Sequence, residues 1–230
     1  MTTFPFDRPK SQELNQARLA HLDSLGLDLW GKRVLEPGSG IGLLTSFWEE
    51  RGCDVLSTEG REGNIAENLR RHPWRAGRVL CVDLETPGSH DHLGQFDVVF
   101  LYGTLYHVHN PHRVLEDLAR VCSGLLLVEV RAHPSDDGQA HRCGDSDGLD
   151  QALHQKSCRP ARNWVLTQLR LHFRYAYVTV KQPRHPEFPL HWPSGERKVR
   201  AVFVASRFPL GMDTLSEKLL TEQEPIELGA

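Results

Sequence analysis

The stretch Val34-Leu35-Glu36-Pro37-Gly38-Ser39-Gly40-Ile41-Gly42 constrains this chain more than any other. An apolar run, Lys32 to Glu36, stops at a proline and three glycines, and a helix-compatible segment, Leu43 to Arg51, follows. A strand that turns directly into a helix must cross back over its sheet before the next strand, which makes it the opening unit of a parallel sheet. The glycines let a ligand approach the backbone without interference from a Cβ, and a helix N-terminus brings unpaired N–H groups to the same place.

Period and punctuation continue the alternation along the chain. Asp54 to Thr58, Arg78 to Val82, Phe96 to Leu101 and Gly124 to Val130 read as further strands. Asn64 to Arg71 and Pro111 to Cys122 read as helices between them, and Leu14 to Leu29 as a helix in front. Gly124 to Val130 is almost continuously apolar, as a strand buried on both faces must be. His133 to Cys158 breaks the pattern with Asp, Gly, His and Ser, and is too long for a routine connection. Regularity resumes with a helix over Pro160 to Phe173 and two strands, Tyr175 to Lys181 and Val199 to Ser206. The expected organisation is one α/β domain over 1–230. It has an N-terminal helical lid (1–31), a core (32–206) carrying the irregular insert 133–158, and an acidic, frayed tail (207–230).

The glycine loop discriminates between ligands. A dinucleotide fingerprint places a third glycine or alanine where this chain has Leu43, so the spacing is ExGxGxG rather than GxGxxG. An acid just before the glycines repels a pyrophosphate and suits a ligand with an ammonium or sulfonium charge. Glu59, 23 residues after Glu36, ends the second strand, where an acid can accept both hydroxyls of a ribose. Asp83 ends the third strand, within reach of an adenine amino group.

In VLEPGSGIG, the acid of STEG, VDLE, FDVVFLYGTLYHVHNP and the helix HRVLEDLARV, the chain resembles the class I, Rossmann-like S-adenosylmethionine-dependent methyltransferases over most of Arg33 to Arg207. The resemblance implies a doubly wound, seven-stranded, mostly parallel sheet of order 3-2-1-4-5-7-6 with the last strand antiparallel. It implies S-adenosylmethionine as cofactor, S-adenosylhomocysteine as product, and no metal. By position, Glu36, Gly38, Ser39, Gly40 and Gly42 surround the methionine part and Glu59 holds the ribose. Asp83 and Leu84 take the adenine, and Leu101, Tyr102 and Gly103 the cofactor's other side.

The cofactor of such a reaction carries the hard chemistry, leaving the protein alignment, a dry cavity and, for a weakly acidic OH or NH, a general base. His107 is the first candidate base and Tyr106 its neighbour. The 13 histidines include His90-Asp91-His92 and His107-x-His109, but neither has the i, i+4 spacing of a helical metal pair, and both read as solvated loops. From Arg159 to Arg200 there are nine Lys+Arg against two acids, compatible with an anionic acceptor. Gln155, Cys158, Arg159 and Arg197 are the candidate acceptor contacts, with 150–163 as one wall of that pocket. On the other side, Asn15, Gln16 and Arg18 are placed to point inward from the lid.

The overall formal charge of −3 excludes a uniformly basic nucleic-acid coat, and the longest apolar run, Leu125 to Val128, is too short to span a membrane. Five widely spaced cysteines, an odd number, read as reduced thiols of a cytoplasmic protein. The expected activity is methyl transfer to oxygen or nitrogen of a small-molecule or glycan-linked acceptor. An RNA-modifying methyltransferase of the tRNA wobble-uridine type is the second expectation, with nucleic acid the less favoured partner. A non-catalytic cofactor-binding or scaffold protein with this fold is the third.

Overall fold

The computed structural model describes residues 4–196 and 198–227. A helix, α1 (Pro9–Ser24), precedes β1 (Arg33–Pro37), α2 (Thr45–Glu49), β2 (Asp54–Glu59), α3 (Glu62–Arg71) and β3 (Val79–Cys81). Then come β4 (Phe96–Tyr102), a 3-10 turn at Leu105–His107, α4 (Pro111–Arg120) and β5 (Cys122–Ala132). A hairpin, β6 (Ala140–Gly144) and β7 (Lys156–Pro160), leads to α5 (Arg162–His172) and β8 (Tyr175–Thr179). The short β9 (Lys181–Gln182), the long β10 (Val199–Ser206), β11 (Leu215–Ser216) and β12 (Glu224–Pro225) complete the order.

The main sheet runs β3-β2-β1-β4-β5-β10-β8-β11. Its first five strands are parallel, and β10 is antiparallel to both β5 and β8. This is the expected 3-2-1-4-5-7-6 arrangement, with β8 and β10 as its sixth and seventh strands and one more strand on the edge. The extra strand comes from the segment expected to fray: Leu215 and Ser216 pair with Thr179 and Val178. Leu215 and Ile226 are buried, and the Gln223 amide donates to the Thr179 carbonyl at 2.6 Å. Acidic composition concealed two apolar anchors. The five cysteines are all free, as expected for reduced thiols.

Period-2 alternation sorts the strands' side chains into two apolar layers. Val99 and Leu101 of β4 face one layer with Leu126 and Val128 of β5, covered by Leu115 and Leu118 of α4 and Val165 and Leu169 of α5. Val98, Phe100 and Tyr102 face the other with Leu127, Val202 and Val204, covered by Leu22, Leu25 and Trp48. Because both faces are covered, β4 and β5 read as unbroken apolar runs rather than alternating ones. Pro111 opens α4, where a missing N–H costs nothing, and Arg120 closes it in ion pairs with Asp91 and Asp117.

The front helix starts five residues before its expected first residue and ends five before its expected last, since Pro9 is tolerated in a first turn and the chain leaves the helix at Leu25. The insert 133–158 contains the β6–β7 hairpin. Among the described residues, no helix is long and apolar enough to cross a membrane.

Candidate active site

A cavity of about 320 Å³ opens over the carboxyl ends of β1 to β4, where the strand order reverses between β1 and β4. Ligands of open α/β sheets bind at such a switch point, and the volume suits a small organic molecule. The glycine loop forms its floor. At Gly38, φ is +70° and an added Cβ would lie 2.4 Å from Thr104 Cγ2, so the loop and the β4 end pack backbone to side chain. At Gly42 the corresponding Cβ would meet Arg75 Nη1 at 2.3 Å, beneath the loop rather than in the cavity.

The loop is not a phosphate cradle. The N–H groups of Gly38 and Ser39 donate to the Thr58 carbonyl at 2.7 and 3.1 Å, and that of Gly40 donates to Glu59 Oε2 at 2.9 Å. The Gly42 N–H donates to the Ser39 carbonyl at 2.9 Å, and α2 begins only at Thr45. These four donors are thus used inside the protein rather than turned toward a ligand, which weakens the loop as a site for a pyrophosphate.

Of the residues expected around the cofactor, Gly38, Ser39, Gly40, Glu59, Asp83, Leu84, Tyr102 and Gly103 line this one cavity. Glu36, Gly42 and Leu101 do not. Glu36 is only 3% exposed and turned under the loop, where its Oε2 accepts from Thr45 Oγ1 at 2.6 Å and Ser57 Oγ at 3.0 Å. Burial pushes its carboxyl up to about 7, against the pull of those hydroxyls and of Arg75. The acid before the glycines therefore ties β1, α2 and β2 together instead of presenting a charge to the ligand. Leu101 falls on the opposite face of β4 from Tyr102 and belongs to the core.

At one end of the cavity Glu59 also accepts from the Arg61 N–H (3.0 Å) and Asn64 Nδ2 (3.2 Å). Asp83 Oδ1 accepts from the Glu85 N–H at 2.9 Å, and its Oδ2 lies 2.8 Å from His154 Nε2. The segment 149–153 closes this end, rather than the acceptor end expected of 150–163. Asn64 Nδ2 donates to the Leu149 carbonyl at 3.0 Å and Arg61 Nη2 to the Ala152 carbonyl at 3.0 Å. Leu153 packs over Gly60, 2.8 Å from where a Cβ would stand. Over the loop, Phe6, Ser11, Leu14, Asn15 and Arg18 form the roof, while Gln16 stays out of the cavity. Four polar atoms of residues in the cavity wall, Arg18 Nε, Ser39 Oγ, Asn64 Oδ1 and Tyr102 OH, are buried without a partner among the described residues. Their number and kind fit a ligand rich in hydroxyl and amino groups, such as the nucleoside and amino-acid halves of S-adenosylmethionine.

At the other end, the 3-10 turn after β4 brings Tyr106 and His107 into the cavity. His107 Nδ1 lies 3.0 Å from Asp145 Oδ2, and no hydrogen bond engages its Nε2 among the described residues. Burial lowers the His107 pKa, partly offset by Asp145, so the ring is neutral at neutral pH with its tautomer set by the carboxylate. The His107 contact in turn holds the Asp145 carboxyl below its usual range, and the Ser146 and Ala152 N–H groups hold the carboxylate in place. Asp145 was not singled out from the sequence. It lies in the irregular insert, 38 residues from its partner, and only the β6–β7 hairpin brings it there.

The expected acceptor contacts fare less well. Gln155 sits in a turn with φ +55°, and Cys158 is buried with its thiol toward the Leu105 carbonyl at 3.5 Å. Arg159 donates to the Cys158 and Tyr106 carbonyls at 2.7 and 3.3 Å and stacks on the Tyr106 ring, behind the cavity wall. Arg197 lies outside the described residues. The basic stretch is likewise dispersed: Arg162 pairs with Asp136, Lys181 with Glu227, and Arg184 donates to the Ile226 carbonyl. Among the described residues of that stretch only Arg200 reaches the cavity, in a buried network in which Glu129, fully enclosed, takes Arg18 at 2.6 Å and Arg200 at 3.0 Å. Burial alone would raise the Glu129 carboxyl, but the two guanidiniums outweigh it and hold it ionised.

The histidines expected to be solvated include a buried one. His90 is 1% exposed against Thr58 Oγ1, and burial lowers its pKa to about 4. The densest grouping of metal-type donors is different from those read in the sequence: His133, Asp137 and His141, away from the cavity lining.

Comparison with known proteins agrees with this geometry. Residues 35–125 match a family described as a methyltransferase domain. A ubiquinone biosynthesis O-methyltransferase of Shewanella halifaxensis (strain HAW-EB4) is 31% identical over 108 residues, 46% of this chain and 45% of that protein. The match thus spans about half the length of the curated relatives. The crystal structure of the N-terminal domain of EvdMO1 in the presence of SAH and D-fucose superposes with a TM-score of 0.65 at 23% identity, over 87% of this chain and 84% of that one. Magnesium protoporphyrin IX methyltransferase from Synechocystis PCC 6803 with bound SAM gives a TM-score of 0.57 at 15% identity, over 86% and 79%.

Proposed function

We propose that this chain, which carries a methyltransferase domain in the class I methyltransferase fold, transfers the methyl group of S-adenosylmethionine to an oxygen or nitrogen of a small-molecule acceptor. The observation that carries the reading is one cavity with two differently equipped ends. A carboxylate and amide pair, Glu59 and Asn64, stands at one end, and a carboxylate-held imidazole, His107, at the other.

Glu59 and Asn64 are the groups that would hold the ribose hydroxyls, since Asn64 Oδ1 has no partner among the described residues and Glu59 Oε2 has a lone pair to spare. Asp83 and Leu84 would take the adenine beneath Leu149 and Leu153, and Ser39, Gly103, Asn15 and Arg18 flank the space left for the amino-acid part. When bound, the cofactor supplies an electrophilic methyl group on a sulfonium. His107 Nε2 accepts the proton released by an acceptor OH or NH, and Asp145 fixes the ring and stabilises the imidazolium that results. Tyr106 walls this end and hydrogen-bonds only weakly to Arg200, at 3.4 Å, which leaves its hydroxyl able to orient an acceptor. The helix α1 and the segment 149–153 exclude water, so the acceptor meets its partner in a fixed geometry.

A small acceptor is favoured over RNA because the cavity is roofed by α1, and Arg18 and Arg200 at its wall are buried in pairs with Glu129 and Glu187 rather than displayed as a stripe. A hydroxyl acceptor, in keeping with the O-methyltransferase name of the ubiquinone biosynthesis relatives, needs a base of this kind. The test is incubation with methyl-tritiated S-adenosylmethionine and fractionated cell extract. Label should enter a small-molecule fraction with the wild-type chain and drop at least 100-fold with His107→Ala. Label in RNA would support the RNA-modifying alternative. S-adenosylhomocysteine binding without label in any pool would support the non-catalytic one.

A further inference from the structure

Strands β5 and β10 run antiparallel with Arg131 directly opposite Arg200. Glu129, two residues before Arg131, stands on the same face as both. Like charges facing each other across a ladder cost stability unless something answers them. Arg200 is answered: it pairs with Glu129 at 3.0 Å and Glu187 at 2.6 Å. Arg131 is not. It is half-buried and lines the cavity beside Tyr106, His107 and Arg200, yet no carboxylate or carbonyl takes its guanidinium among the described residues. Burial, and the nearby charges of Arg159 and Arg200, lower its proton affinity below the usual value. Around this end stand four guanidiniums, Arg18, Arg131, Arg159 and Arg200, against three carboxylates, Glu129, Glu187 and Asp145, the last held by His107. A partly desolvated guanidinium without a partner is costly, and its planar fork of donors matches a carboxylate or phosphate in two parallel hydrogen bonds.

Resting on the methyl-transfer reading above, we propose that Arg131 anchors the acceptor and that the acceptor carries an anionic group, a carboxylate or a phosphate. Arg131 holds that group while the hydroxyl or amine to be methylated faces His107. The requirement selects acidic acceptors over neutral ones of the same shape, because only the anion removes the unanswered charge. It also separates two anion sites: Arg18, under the front helix and packed on Gly103, stands at the cofactor's side, whereas Arg131 stands on the next strand beside the base.

The test is thermal denaturation of the protein saturated with S-adenosylhomocysteine, at constant ionic strength, with paired probes. The pairs are acetate and acetamide, benzoate and benzamide, and phenyl phosphate and phenol. At ten times its dissociation constant, at least one anion should raise the melting temperature about 3–6 °C above a neutral partner that does not bind. The carboxylate and phosphate arms tell the two chemistries apart. Arg131→Gln should erase the difference and Arg131→Lys should keep part of it. The proposal is overturned if no anion exceeds its neutral partner or if Arg131→Gln keeps the difference. It is equally overturned if Arg131→Gln loses the S-adenosylhomocysteine shift itself, which would assign Arg131 to the cofactor. Absence of that shift in the wild type would instead remove the methyl-transfer reading.

Discussion

Substituting Glu36 by Gln should make the protein more stable at neutral and basic pH, although Glu36 is the acid of the glycine-loop signature. In the fold its carboxyl is enclosed, accepts two hydroxyls and titrates at about 7, against 4.5 for an unburied side chain. Between those values the folded state holds the proton and the unfolded state has lost it. Stability therefore falls as pH rises from 4.5 to about 7 and the loss is complete above it. At about 1.4 kcal/mol for each tenfold in proton affinity, that rise corresponds to about 3 kcal/mol. Glutamine keeps an oxygen to accept from Thr45 and Ser57 and has nothing to ionise. Urea unfolding followed by circular dichroism from pH 4.5 to 8.5 should show the two proteins within about 1 kcal/mol at the acid end. Glu36→Gln should lead by about 3 kcal/mol at the basic end, and the difference between variants cancels every other titrating group. A second readout addresses function: because Glu36 does not face the cavity, the ratio of S-adenosylmethionine to S-adenosylhomocysteine affinity should not change. A pH-independent difference, or a variant that loses the sulfonium form selectively, would refute this account of the acid and restore it as a counter-charge.

Three other outcomes are expected. Asp145→Asn should lower turnover about 10-fold or more by releasing the His107 ring. Because Asp145 raises the His107 pKa, its loss should also move the acidic limb of the pH–rate profile to lower pH, and an unmoved limb would separate the two residues. Gly38→Ala should cost about 1–3 kcal/mol in chemical denaturation, from a left-handed φ and the collision with Thr104; adding Thr104→Ala should recover part of it, and additive losses would contradict the contact. Leu215→Ala should cost about 2–3 kcal/mol, against almost nothing if the C-terminal segment were loose.

The parallel order of β1 to β5 and the position of the cavity were legible because glycine punctuation and apolar runs are local signals. The acids at successive strand ends were legible for the same reason, and Glu59 and Asp83 do line the cavity. Glu36 was misread because the sequence shows that an acid precedes the glycines but not which way it turns; Thr45 and Ser57, 9 and 21 residues on, decide that. Leu101 was misassigned through a neglected period-2 argument, since it and Tyr102 point to opposite faces. Asp145 and Arg131 lay beyond sequence reasoning for different reasons. Asp145 depends on a hairpin inside an aperiodic segment, and Arg131 looks like any strand-end charge until its facing partner, Arg200, is known. The count of basic residues between Arg159 and Arg200 misled because charge along the chain says nothing of which acids answer it in space.

The central claim is that the cavity over β1 to β4 binds S-adenosylmethionine through Glu59, and isothermal titration with S-adenosylhomocysteine tests it most directly. One molecule should bind per chain, and Glu59→Ala should abolish the heat, because the substitution removes both the ribose acceptor and the carboxylate that holds the Gly40 N–H. Binding that survives Glu59→Ala unchanged, or no binding by the wild-type chain at millimolar ligand, would contradict the account.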